Sequence, residues 1–134
     1  DFSGLRTDHW PLTTIPALNL AAQAYARNPA TGLAVSLATR IALFEGGLDI
    51  SDPEVLADIA AEHGLSSPET EASPAIRADY DEGRARGVNG SPHFWIGDDD
   101  FFCPALDLGH DPDGNLTARF DADGLAQFFS RIDQ

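Results

Sequence analysis

The chain has 134 residues, 43% of them apolar, which is enough for the core of one domain or of the larger part of one. Its 22 acidic and 8 basic residues leave a formal net charge of −14, and this excess of negative charge disfavours binding to nucleic acid or to anionic lipid. A single cysteine excludes an internal disulfide and any metal site built from several cysteines. The composition favours a soluble protein.

Residues 1–87 predict a block of four helices that follows an extended segment. Residues 1–13 show no clear period. The first helix begins near Thr14, whose hydroxyl can cap it, and it ends at residue 28, before a proline. The second helix covers 30–45 and two glycines end it, since glycine commonly follows a helix C-terminus. The residues predicted to be buried in these two helices are Leu18, Ala21, Ala22 and Tyr25, then Leu33, Leu37, Ile41 and Phe44.

The third and fourth helices have stronger start signals. Before the third helix, 53–63, the cap candidates Ser51 and Asp52 precede an early proline and an acidic residue in the first turn. Residues 66–71 are predicted to form a short turn of helix, and a proline then opens the fourth helix, 74–86. The residues predicted to point inward here are Val55, Leu56, Ile59, Ile76 and Tyr80.

From residue 88 onward the composition becomes that of strands. Residues 93–96 and 101–103 predict an antiparallel hairpin, with the three aspartates 98–100 as its turn. A hairpin of two strands is marginal by itself. We therefore expect this part to be half of a sheet, whose other half lies upstream in the native chain or is supplied by another molecule.

The last stretch predicts a turn, a short extended piece and a helix. Residues 111–114 are a strong turn signal and 116–120 follow as the extended piece. Asp121 can cap a helix over 122–132. The residues predicted to face inward on this helix are Leu125, Phe128, Phe129 and Ile132.

The most specific stretch is GVNGSPHFWIG, residues 87–97. Pro92 lies at the first position of a predicted strand, and Gly90 and Ser91 precede it as a small, turn-forming pair. This arrangement fits a cis-proline, although only about 5–6% of X–Pro bonds in folded proteins are cis. The same residues also fit a proline that merely opens an edge strand.

This stretch is similar to the cis-proline loop and following strand of DsbA-like proteins, a branch of the thioredoxin superfamily. The helices before it, with ALFEGGLDISDPEVLADIAAEHGL and ADYDEGRARGV, resemble the helical insertion of that family. The resemblance covers most of residues 14–132. It implies an α+β, thioredoxin-like fold in which 1–87 are the helical insertion, and 88–134 are the cis-proline loop, a β-hairpin and a C-terminal helix.

The family's fold begins with a strand, a Cys-x-x-Cys motif at a helix start and a second strand, and none of these is in the sequence. The first residue is Asp1 rather than Met, which also suggests a processed or trimmed start. The resemblance thus implies that the intact protein is a thiol–disulfide oxidoreductase and that this chain, without the redox cysteines, is inactive and holds no catalytic residue. Gly90, Ser91 and Pro92 would contact an extended substrate.

Two other functions stay open. Hydroxychromene-carboxylate isomerases and kappa-class glutathione transferases share the insertion and the loop, but use a serine in place of the first cysteine and bind glutathione. A non-catalytic binding or assembly module is the third reading. We expect a thiol- or disulfide-containing protein or a small-molecule thiol as partner, without nucleic acid, membrane or cofactor. Open sheet edges and uncovered apolar surface predict self-association, and a cytoplasmic location is expected.

No metal site is predicted. The histidines have no ligand-like spacing, and the aspartates near Gly114 lack the spacing and the terminal glutamate of a calcium loop. Cys103, before a proline at a strand end, is predicted to be a small buried apolar residue. The residues considered and set aside as ligands are His9, His63, His93, His110, Asp98, Asp99, Asp100, Asp107, Asp111 and Asp113.

Overall fold

The computed structural model describes residues 1–133, except for the side chain of His9. These residues form a mixed α+β chain, and the backbone divides into one compact unit of residues 1–82 and a second that begins at Gly83. The helices are α1 (Ile15–Arg27), α2 (Pro29–Phe44), α3 (Pro53–Glu62), α4 (Pro74–Ala85) and α5 (Ala122–Ile132), with a 3₁₀ turn over Thr7–His9. None of the described helices has the length and apolarity needed to cross a membrane.

The start of α3 follows its predicted signal, whereas α1 and α2 begin with side-chain hydrogen bonds from residues that were not predicted as caps. Asn28 caps α2 by accepting a hydrogen bond from the Thr31 amide, and Asp52 caps α3 through the Glu54 amide. Thr14, the predicted cap of α1, makes no side-chain capping bond. The Thr13 hydroxyl accepts a hydrogen bond from the Ile15 amide instead, at 3.2 Å.

The buried faces of α1 and α2 differ from those predicted. The predicted residues Leu18, Leu33 and Ile41 are about half exposed, and so are Tyr25 and Leu37. Apolar residues occur on nearly every side of α2, so periodicity did not select a face. The face that packs combines small residues with a few aliphatic ones. The residues that α1 and α2 bury are Pro16, Ala17, Asn19, Leu20 and Ala24, then Gly32, Val35, Thr39 and Leu43.

The core of the first unit lies where α1, α2 and α3 meet. Leu20, Val35 and Leu56 are its largest fully buried side chains. On α3 the prediction was largely correct, since Leu56 and Ile59 are buried and Val55 is partly buried. Burial of each large aliphatic side chain contributes about 1.5–3 kcal/mol, so this contact stabilises the helical block.

The segment between α3 and α4 is not helical, contrary to the turn of helix predicted over 66–71. The side-chain amide of Asn19 replaces the helical hydrogen bonds. It donates to the carbonyls of Glu69 and Glu71 at 2.8 and 2.7 Å and accepts from the Ser73 amide at 3.1 Å. On α4 itself, Ile76 is partly buried but Tyr80 is 64% exposed, so the predicted inward face is wrong at Tyr80.

The second unit contains two separate antiparallel hairpins and α5. Strands β1 (His93–Ile96) and β2 (Asp99–Phe102) pair with Ile96 opposite Asp99, so their turn is residues 97–98 and not 98–100 as predicted. Strands β3 (Leu106–His110) and β4 (Leu116–Phe120) form the other hairpin. Strand β3 was not predicted, and the hairpin that it completes lies between β2 and α5 in the chain.

The helix α5 is capped as predicted, because the Asp121 carboxylate accepts a hydrogen bond from the Gly124 amide at 2.9 Å. Its inward face is narrower than predicted. Phe128 is partly buried, with its ring centroid 4.8 Å from that of Phe94 and 5.4 Å from that of Phe101. Leu125 is partly buried as well, whereas Phe129 and Ile132 are each 53% exposed.

Candidate functional site

The loop before β1 brings the three sequence-predicted site residues to the surface of the second unit. Gly90, Ser91 and Pro92 are exposed, and the Ser91–Pro92 peptide bond is cis, which is the arrangement that the resemblance implies. A Cβ added at Gly90 would lie 3.2 Å from the Phe102 ring, so a side chain there would crowd β2. Among the described residues, the backbone N–H and C=O of Ser91 have no hydrogen-bond partner.

The C-terminal end of this loop is fixed to the second strand of the hairpin. The Cys103 amide donates a hydrogen bond to the Pro92 carbonyl at 2.9 Å. Cys103 is buried and unpaired, as predicted for a small apolar residue. Its φ of 47° lies in the left-handed region, which turns the chain at the end of β2.

Behind the loop lies a pair of side chains that the sequence reasoning missed. The His93 side chain is only 3% exposed, and its Nε2 lies 2.9 Å from Oδ2 of Asp100, which is 61% exposed. On the other side of the ring, Nδ1 accepts a hydrogen bond from the Asn89 amide at 3.4 Å. His93 therefore connects β2 to the N-terminal end of the loop.

The register of the hairpin explains the pair and why it was missed. His93 is opposite Phe102 and Trp95 is opposite Asp100, so His93 and Asp100 are diagonal neighbours on one face of the hairpin. The sequence interpretation placed Asp100 in the turn. A two-residue turn at 97–98 predicts the correct register, because Gly97 has the positive φ of 63° that such turns favour.

Two aromatic rings contact the imidazole. The Trp95 ring centroid lies 4.0 Å from that of His93, and the Phe102 ring meets it edge-on at 5.6 Å. The guanidinium carbon of Arg86 lies 5.7 Å from the Trp95 ring centroid. These contacts shield His93 from water and confine its ring, so its two nitrogens have fixed directions.

The remaining candidate ligands are dispersed or have structural partners. Among the side chains that the structure describes, which exclude that of His9, no three histidine, cysteine, aspartate or glutamate residues are grouped so that they would hold a metal ion. Asp107 pairs with Arg119, Asp99 pairs with Arg131, and the Nδ1 atom of His63 lies 2.8 Å from the Ile59 carbonyl. The prediction for His9 concerns a side chain outside the described part of the structure.

Comparison of the chain with protein-family models, with curated proteins and with solved structures finds no match. The described residues therefore define the chain only as a mixed α+β protein, with an exposed Gly-Ser-Pro loop in its second unit.

Proposed function

We propose that this chain is the substrate-binding part of a DsbA-like thiol–disulfide oxidoreductase whose redox cysteines lie outside residues 1–134. The observation that carries the proposal is the exposed loop at Ser91, whose backbone N–H and C=O are both unpaired within the described residues. Unpaired backbone groups at a strand end can bind an extended peptide through main-chain hydrogen bonds. The resemblance of GVNGSPHFWIG to the family's loop supports the same assignment.

In this proposal residues 1–87 are the family's helical insertion and 88–134 its C-terminal half, with a thioredoxin-like sheet completed by residues outside the chain. The block of helices in the first unit and the order loop, hairpin, helix in the second support this arrangement. The β3–β4 hairpin is an addition to the pattern that the resemblance implies. A cytoplasmic location and a thiol- or disulfide-containing partner stay predictions.

The chemistry of the intact protein would be disulfide exchange. In the oxidising direction, a substrate thiolate attacks the enzyme's disulfide, which forms a mixed disulfide and releases one enzyme thiolate. A second substrate thiolate then attacks the mixed disulfide, so that the substrate leaves oxidised and the enzyme is left as a dithiol. The role of this chain would be to hold the substrate backbone beside Ser91 while the sulfur atoms exchange.

The decisive experiment is to read the parent gene upstream of Asp1 and to compare it with the intact mass of the purified chain. We expect a Cys-x-x-Cys motif within about 50–80 residues, the length of one strand–helix–strand unit with its loops. A serine at the first cysteine position would transfer the assignment to the glutathione-dependent isomerases and transferases. If neither motif is present, the remaining interpretation of the protein is a non-catalytic binding module.

The chain alone provides a second test. Without a cysteine pair it cannot complete the exchange, so we expect no insulin-reducing activity and no isomerisation of a scrambled disulfide substrate. An extended cysteine-containing peptide should nevertheless shift the NMR signals of residues 90–92. Turnover at the rate of a competent oxidoreductase would contradict the proposal, as would a peptide that leaves these signals unmoved.

A further inference from the structure

We propose that His93 and Asp100 are positioning residues that hold the Gly90–Pro92 loop in its binding conformation through the backbone amide of Asn89. The expected effect on peptide binding rests on the proposed function. The hydrogen bonds that hold the loop do not depend on it. Neither side chain would touch the reacting sulfur atoms. Both would act through the loop.

The two hydrogen bonds of His93 define one tautomer. The Asn89 N–H donates to Nδ1 at 3.4 Å, so Nδ1 carries no proton. A neutral imidazole then has its proton on Nε2, which points at the Asp100 carboxylate 2.9 Å away. Since an ionised carboxylate only accepts hydrogen bonds, Asp100 selects the tautomer that leaves Nδ1 free to accept from Asn89.

The loop is thereby fixed at both ends. His93 Nδ1 binds the amide of Asn89 at one end, and the Cys103 amide binds the Pro92 carbonyl at the other. Gly90 and Ser91 lie between these two anchors with their backbone exposed. A substrate then meets a loop that is already ordered and does not have to supply the free energy of ordering it.

Burial makes the His93 anchor effective. With 3% of its side chain exposed, His93 exchanges few hydrogen bonds with water, while the Asp100 side chain is 61% exposed. The Trp95 and Phe102 rings both contact the imidazole. The Asp100 carboxylate on β2 is bonded to His93, and the Arg86 guanidinium lies over the Trp95 ring.

The test uses the ¹⁵N-labelled chain and matched variants. Long-range ¹H–¹⁵N spectra should show His93 protonated on Nε2. D100N replaces the carboxylate by a group that can also donate to Nε2, so we expect a mixture of tautomers and a shifted, broadened Asn89 signal. D98N makes the same chemical change in the turn of the same hairpin, and it should alter neither the His93 tautomer nor the Asn89 amide signal.

A peptide titration connects the geometry to binding. D100N and H93F, which keeps a ring between Trp95 and Phe102, should weaken binding of the extended cysteine-containing peptide about two- to tenfold, the effect of one hydrogen bond of ordinary strength. D98N should bind like the unmodified chain. The backbone amide spectrum of each variant shows that the second unit remains folded.

The outcomes separate the two proposals. A His93 proton on Nδ1, or a D100N chain with unchanged tautomer and unchanged Asn89 signal, overturns the positioning role. Peptide binding of equal strength in the unmodified chain and in D100N also overturns it, while the proposed function stands. If the spectra respond as expected but the unmodified chain binds no peptide, the proposed function fails and the anchoring of the loop is supported.

Discussion

At the scale of single residues, Asn19 stabilises the first unit more than its polar character suggests. It is 7% exposed, and its amide satisfies two carbonyls and one amide of the segment between α3 and α4. An N19A substitution removes these three part-buried hydrogen bonds, and each such bond contributes about 0.5–1.5 kcal/mol. We expect the free energy of unfolding in urea to fall by about 2 kcal/mol or more.

Gln23, one turn further along α1, offers the matched control. Its side-chain oxygen accepts one hydrogen bond from the Ser66 amide at 3.1 Å, at an exposed site where water can replace it. Q23A should therefore change the free energy of unfolding by less than about 0.5 kcal/mol. If N19A and Q23A lower the free energy of unfolding equally, the hydrogen bonds of Asn19 stabilise this segment no more than that of Gln23 does.

The contrast between Pro92 and His93 shows what the sequence can reveal about single residues. The cis peptide bond at Pro92 could be expected from the resemblance, because the stretch of glycine, serine and proline that carries it is local, although that stretch alone also fits a proline that opens an edge strand. The pairing of His93 with Asp100 depends on a register between two strands, and an error of one residue in the turn hides it. Asn19 was missed for a similar reason, since its partners lie about fifty positions away.

At the scale of elements, helix bounds followed from proline, glycine and capping residues, but buried faces did not. In α2 the apolar residues surround the helix, so its buried face depends on which side lets α1 approach, and Gly32 and Val35 provide that side. The missed strand β3 did carry a signal: Leu106 and Leu108 alternate with Asp107 and Gly109, which is the period of a strand with one apolar face.

The turn between β3 and β4 depends on the charge of Asp111. Its carboxylate accepts hydrogen bonds from the side chain and the backbone of Asn115 and from the Asp113 amide, and these bonds, led by the Asn115 side chain, lower the pKa of Asp111. A lowered native pKa means that ionised Asp111 stabilises the turn above the ordinary carboxyl pKa of about 3.9. This stabilisation is lost as the pH falls through the lowered native value.

An NMR titration checks this dependence on the carboxyl carbon of Asp111 and on the Asn115 amide. Both signals should move together at a pH below the ordinary carboxyl range. In N115A, which removes the largest cause of the shift, the pKa of Asp111 should rise toward its ordinary value. A pKa of Asp111 that is the same in N115A and in the unmodified chain would contradict the role of the side-chain bond.

At the scale of the whole molecule, the β3–β4 hairpin presents an apolar face to solvent. Because opposite residues share a face, the pairs Leu106–Phe120 and Leu108–Ala118 and the residue Leu116 all lie on one side. Leu116 and Phe120 are 69% and 70% exposed. The other side carries Asp107, Thr117 and Arg119 and is polar. A hairpin with this pattern is expected to have its apolar face covered in its working state.

We therefore expect the isolated chain to self-associate through this hairpin, against the mutual repulsion of chains with a net charge of −14. Because salt screens that repulsion but not apolar burial, association measured by sedimentation should strengthen from about 0.05 M to about 0.5 M salt. L116E places a charge on the apolar face and should return the chain to a monomer. T117E adds the same charge to the polar face of the same strand and should leave the association unchanged.

An extended chain that includes the residues upstream of Asp1 distinguishes two ways of covering the hairpin. If those residues complete a thioredoxin-like sheet over Leu116 and Phe120, the extended chain should be monomeric and L116E should destabilise it. If it associates as the shorter chain does, the apolar face is an interface between copies of the protein. If residues 1–134 stay monomeric at high concentration and high salt, the apolar face requires neither the upstream residues nor a second copy of the chain to cover it.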